Sequence, residues 1–131
     1  MKTILVIDDS PVIRKLIAMI LKKCDYIVLE AEDGIDALEK LSSFHADLFI
    51  VDLNMPHMDG IELVKNLRSS YYYLDTPAIM LTTTRDEKIK EQALRAGINL
   101  FLNKPIKPEI LIYKVKSLLK EADNGGGTQN Q

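Results

Sequence analysis

Five times along the chain a short run of aliphatic residues gives way to a segment of helical length, and no other feature limits the fold as tightly. The runs cover 4–7 (ILVI), 26–30 (YIVLE), 47–52 (DLFIVD), 78–82 (AIMLT) and 98–102 (INLFL). Each is short, nearly continuous and rich in Val, Ile or Leu, as strands covered on both faces read. The intervening segments carry helix signals. Ser10 is placed to cap a helix with Pro11 in its first turn, Asp33-Gly34 opens a second, and Asp59-Gly60 precedes a third. Asp86 and Glu87 begin a fourth that Gly97 ends, and a fifth should run from Pro108 to about Glu121. Such alternation predicts an α/β, doubly wound, five-stranded parallel sheet with helices on both faces.

At 131 residues, 47% of them apolar, the chain suits one domain with a full core. Lys and Arg number 17 against 19 Asp and Glu, a formal charge of −2, which leaves no basic footprint for nucleic acid or an anionic membrane. The apolar runs fall well short of the roughly 18 residues that a membrane span needs, and a cytoplasmic protein is expected. Cys24 is the only cysteine, so neither an internal disulfide nor a multi-cysteine metal site is available. From Asp123 to Gln131 the chain has nothing apolar to bury and is expected to be a disordered tail after a domain spanning 1–122.

Ligands of open parallel sheets bind beyond the carboxyl ends of the strands. Asp8 and Asp9 end the first strand, Asp52 the third and Thr82 the fourth, and Lys104 follows the fifth. Clustered carboxylates repel one another unless a cation lies between them. Oxygen donors without His or Cys favour Mg²⁺, with Mn²⁺ as the alternative, and leave a position for a substrate oxygen. Asp52 could then attack phosphorus to form an acyl phosphate, with Lys104 stabilising the equatorial oxygens and Thr82 donating a hydrogen bond. Taken singly, each residue has a plainer reading: Asp9 as a turn former, Thr82 as a strand residue, Lys104 as a solvated loop lysine. Their arrival together at four strand ends favours the site.

These motifs resemble the response-regulator receiver domain of two-component signalling, in particular its single-domain, chemotaxis-type members. The resemblance runs from about Lys2 to Glu121 through VIDDSP, VDLNMPHMDG, IMLTT and FLNKPI. It implies that Asp52 is the phosphoacceptor, that Asp9 binds the metal directly, and that Asp8 acts largely through water. It further implies that Asn54 offers its main-chain carbonyl to the metal, that Thr82 is the switch hydroxyl, and that Phe101 is the aromatic that turns inward on activation. A flavodoxin-like strand order 2-1-3-4-5 and a cis Lys104-Pro105 bond also follow. The implied partners are a histidine kinase or histidine phosphotransfer protein and a downstream protein target, for a monomer or a phosphorylation-dependent dimer. Passing the phosphoryl group onward in a relay, or serving as the receiver part of a longer regulator, are alternatives to direct output.

Some positions depart from the family's usual pattern. Ile106 stands where Phe is usual, Thr83 is bulkier than the Ala or Gly often found there, and Asn54 and Thr84 are uncharged. His45 and His57 show no ligand pairing and are expected to be exposed, and the triple tyrosine 71–73 to be a connecting loop packed over the surface. On helix 1 the apolar residues Val12, Ile13, Leu16, Ile17, Met19, Ile20 and Leu21 sweep about 200°, more than one buried stripe needs, so either a face remains for docking a kinase or phosphotransfer helix or the helix is buried more tightly between helices 2 and 5. Helix 4 is thinly apolar, which suits a switch element, and Ile110 and Tyr113 lie off the main arc of helix 5, where an output face would be. An aspartate-based phosphohydrolase would place its nucleophile in Asp-x-Asp at strand 1. A nucleotide or flavin binder would need a Gly-bearing loop where DDSP stands, and a degenerate scaffold would lack key residues.

Overall fold

The computed structural model describes residues 1–121, so the tail expected from Asp123 onward lies outside the described residues. Strands β1 (Thr3–Ile7), β2 (Ile27–Ala31), β3 (Leu48–Val51), β4 (Ala78–Thr82) and β5 (Leu100–Asn103) form one parallel sheet in the order β2-β1-β3-β4-β5. Helices α1 (Pro11–Lys22), α2 (Gly34–Leu41), α3 (Gly60–Arg68), α4 (Glu87–Ala96) and α5 (Pro108–Leu118) connect them. Alternate residues of each central strand enter two cores. Ile4, Val6, Leu48, Ile50, Ile79 and Leu81 meet Ile17 and Leu21 of α1 and Leu111 and Val115 of α5. On the other face Leu5, Ile7, Phe49, Val51 and Met80 meet Ala37 of α2, Leu63, Val64 and Leu67 of α3, and Ala93 of α4.

Burial on both faces holds for β1, β3 and β4 but not for the edges. β2 and β5 each have a single neighbouring strand, their residues are mostly half-buried, and Ile27 is exposed. The strand at 26–30 begins one residue late because Tyr26 turns into the core by α1, its hydroxyl donating to the Glu121 carboxylate. That contact also explains the end of the last helix. α5 stops at Leu118 rather than near Glu121, Lys120 takes a left-handed φ of 58°, and the chain folds back so that Glu121 reaches Tyr26.

The expected caps form. The side chains of Ser10, Asp33 and Asp86 accept from the main-chain amides of Ile13, Asp36 and Lys88. Asp59 and Glu62 satisfy each other's main-chain amides reciprocally at the start of α3. Gly97 ends α4 at φ 117°, a conformation that a side chain would strain. The tyrosines 71–73 make a 3₁₀ turn that is only partly a surface feature. Tyr71 and Tyr72 are exposed, whereas Tyr73 is buried edge-on to Phe49. His45 and His57 are exposed, and Cys24 is a half-buried free thiol. No helix among the described residues is long and apolar enough to cross a membrane.

Candidate functional site

β1 and β3 are adjacent and in register, Ile7 beside Val51, so the residues that follow them emerge side by side. Asp8 and Asp52 are buried, at 2% and 8% exposure, while Asp9 faces solvent. One carboxylate oxygen from each of the three lies within 4.8 Å of the others. From β5 comes the cation: Lys104 Nζ is 3.0 Å from Asp8 Oδ2 and 3.5 Å from Asp52 Oδ1. Its side chain is itself largely buried, so the pairing is less screened than a surface salt bridge.

One ammonium does not neutralise three carboxylates. Burial first, and then the Asp8 charge, push the Asp52 carboxyl up to about 6; Lys104 pulls the other way and Asp9 adds to the rise. An oxygen-only donor set with unbalanced negative charge is a fitting cage for a hard divalent cation such as Mg²⁺.

Gly60 makes the close packing beneath this site possible. A Cβ there would overlap the main-chain carbonyl of Asp52 and crowd the side chains of Met80 and Val51. The Gly60 amide instead donates to the Leu53 carbonyl at 2.8 Å, tying the start of α3 to the strand that bears Asp52.

Thr82 is buried at the end of β4, and its hydroxyl oxygen accepts from the Thr84 amide at 3.3 Å. Phe101 is half-buried on β5, opposite Met80, and packs into the core that holds Ala93 of α4. Asn54 is exposed in the loop after Asp52. Lys104-Pro105 is cis, and Ile106 packs, half-buried, against the α1/α5 core.

Two contributors had escaped notice in the sequence. The Asn103 amide donates to the main-chain carbonyls of both Thr82 and Thr84, fastening the turn after β4 to β5. Arg14 of α1 donates to the main-chain carbonyl of Asp8. An Asn at a strand position where apolar residues are favoured was the available signal for the first. For Arg14 no local pattern pointed to its target.

Residues 4–116 match the response regulator receiver domain family. The chain belongs to that family. Chemotaxis protein CheY1 of Helicobacter pylori is 41% identical over 123 residues, covering 92% of this receiver and 98% of the relative. The chemotaxis protein CheY homolog of Campylobacter jejuni is 37% identical, covering 96% and 98%. Among solved structures, chemotaxis protein CheY4 of Vibrio cholerae superposes with a TM-score of 0.86 at 36% identity, over 90% of this receiver and 98% of that chain. The receiver domain of sensor histidine kinase PA1611 from Pseudomonas aeruginosa, described with a magnesium ion coordinated in its active site cleft, gives a TM-score of 0.84 at 28% identity, covering 92% and 98%. A CheY-like receiver domain is a phosphoacceptor signalling protein, not an enzyme acting on a separate substrate, and the family implies a histidine kinase as its partner.

Proposed function

We propose that this receiver takes a phosphoryl group onto Asp52 from a histidine kinase or histidine phosphotransfer protein and signals by changing the surface formed by α4, β5 and α5. The observation that carries this reading is the buried Asp52 carboxylate, held among Asp8, Asp9 and the Lys104 ammonium at the sheet's carboxyl edge. In the transfer, an Asp52 oxygen forms a bond to phosphorus as the bond from phosphorus to the donor's imidazole nitrogen breaks; the leaving imidazole takes that electron pair. With acetyl phosphate the leaving group is acetate.

Asp8, Asp9 and Asp52, with the main-chain carbonyl of Asn54, would hold Mg²⁺, or Mn²⁺ in its place. When bound, the cation supplies charge neutralisation to the phosphoryl oxygens. Lys104 stabilises the same oxygens from the β5 side, and the Thr82 hydroxyl donates to one of them. A Thr82 hydroxyl so engaged no longer accepts from Thr84 in the same way, and the turn before α4 shifts. Phe101, packed beside α4, then moves inward. α4 suits such a response because Ala93 is its single wholly buried side chain. Ile110 and Tyr113 of α5 are exposed and belong to the output face.

Intact mass after incubation with acetyl phosphate tests the reading. One added phosphoryl group that requires both Mg²⁺ and Asp52, and is absent from Asp52→Asn, is the expected result. Absence of the adduct under conditions that also capture rapid turnover would leave a scaffold that works through its surfaces alone.

A further inference from the structure

We propose that Arg14 is a positioning residue of the phosphorylation site, orienting the Asp8-Asp9 peptide from which the metal-facing carboxylates project. This rests on the reading of Asp8, Asp9 and Asp52 as a Mg²⁺ site. The main-chain amide of Arg14 donates to the Ser10 carbonyl at 2.9 Å, and its guanidinium Nη1 donates to the Asp8 carbonyl at 2.7 Å. The first of these is the ordinary opening bond of α1, which any residue here but proline would make; the second belongs to the arginine side chain alone.

The other polar groups of Asp8 are also engaged. Its amide donates to the Ala31 carbonyl at 3.1 Å, Oδ1 accepts from the Ser10 amide at 2.9 Å, and Oδ2 accepts from Lys104 at 3.0 Å. Arg14 adds the bond that fixes the carbonyl, and hence the plane of the peptide leading into Asp9.

The guanidinium is itself anchored. Nε donates to Glu30 Oε1 at 3.1 Å, with both side chains mostly buried, at 14% and 21% exposure. Glu30 sits in β2 beside Val6 of β1, so the anchor belongs to the sheet and not to a loop. Two bonds in diverging directions from one planar group suit arginine; a lysine ammonium would keep the charge without the fork. Groups that orient the ligands of a metal typically change its affinity by about 10- to 100-fold when removed.

The direction of the effect separates this role from plain electrostatics. Arg14 is a positive charge near a cation site, so deleting it should tighten Mg²⁺ binding if charge alone mattered. Positioning predicts the reverse.

Titration calorimetry with Mg²⁺ on wild type, Arg14→Met, Arg14→Lys and Glu30→Gln decides between them. It is paired with phosphorylation by acetyl phosphate across a Mg²⁺ series and with thermal unfolding in chelator. The expected result is Mg²⁺ binding about tenfold or more weaker in Arg14→Met, with smaller losses in Arg14→Lys and Glu30→Gln. The Mg²⁺ concentration giving half-maximal phosphorylation should rise by the same factor, while the rate at saturating Mg²⁺ changes less. Unchanged or tighter Mg²⁺ binding in the folded variants overturns the proposal. Should Arg14→Met fail to fold, Arg14→Lys, which keeps the charge and loses the fork, carries the same criterion; Glu30→Gln does not, because removing a carboxylate weakens cation binding by charge alone. A wild type that takes up neither Mg²⁺ nor phosphoryl would overturn the underlying reading instead, and that result appears before any variant is compared.

Discussion

Asp52 holds its charge at the fold's expense, and the sign of that effect can be measured. Its carboxyl moves from an ordinary value of 3.8 up to about 6 on folding, so between those limits the folded chain binds more protons than the unfolded one. The contribution of this group to stability therefore falls as pH rises through the interval and is flat above it. Asp52→Asn removes the effect. In chelator the variant should match wild type near pH 4 and exceed it by roughly 2–3 kcal/mol above pH 7, at 1.36 kcal/mol per pH unit of separation. Urea unfolding of both proteins across that range checks it, and a gap that does not change with pH would contradict it. Beneath the same residue, Gly60→Ala should destabilise by about 1–3 kcal/mol, the usual penalty of overpacking, because the new methyl group must displace the backbone that bears Asp52. The denaturation midpoint reports it. At this scale the acidic residues, Thr82 and Lys104 were legible in the sequence because they end aliphatic runs, where a polar residue stands out. Arg14 and Asn103 were not, because their partners are main-chain carbonyls on other segments. Such a carbonyl has no sequence signature, and only the folded register brings it into reach.

The helices are unequally attached to the sheet. α1 buries Ile17, Ala18, Ile20 and Leu21, yet α4 wholly buries Ala93 alone. What α4 lacks in apolar contact is partly replaced at its carboxyl end. Arg68 of α3 donates to the Gly97 carbonyl through Nε and Nη2, to the Tyr73 carbonyl at 2.6 Å, and to Asn99 Oδ1 at 3.1 Å. The helix is thus tethered at Gly97, while its first turn, next to the Thr82–Thr84 turn, is held by the Asp86 cap. Arg68→Met should destabilise by about 2–3 kcal/mol, since it strands carbonyls that a charged donor now satisfies. Hydrogen exchange should quicken at residues 93–99 more than in α1. Unchanged protection of residues 93–99 in Arg68→Met relative to wild type would show that packing, and not this tether, holds the helix. The thin apolar content of α4 was readable in advance; the tether was not, since it joins residues about thirty positions apart. Boundaries shifted for similar reasons. α5 ends early because Glu121 turns back toward Tyr26, a contact between residues 95 positions apart.

For the whole molecule, the proposed function would place phosphoryl loading and output on different surfaces. Val12 and Met19 of α1 are exposed at 76% and 52%, confirming that the apolar sweep of this helix exceeds what the core uses, although Ile13 packs into that core. Ile110 and Tyr113 of α5 are exposed as well, at 45% and 60%. If the α1 face receives the phosphodonor's helix, its chemistry can be separated from its docking. Acetyl phosphate needs only the site; a protein donor needs the site and the face. Met19→Asp should lower the rate of transfer from a cognate kinase by about tenfold or more, equivalent to about 1.4 kcal/mol of lost docking. The rate from acetyl phosphate should stay unchanged, because Met19 lies on the open side of α1 while Ile17 and Leu21 hold the helix to the sheet. Tyr113→Asp should leave both rates intact and weaken only the downstream contact. Equal loss with both donors would mean that Met19→Asp had disturbed the acidic cluster through α1, and no loss with either would mean that the donor approaches from elsewhere. The expectation follows from where α1 starts: it begins three residues after Asp8, at the end of the sheet that holds the acidic cluster, so a partner lying along its open face would have its near end toward the proposed phosphoacceptor, Asp52.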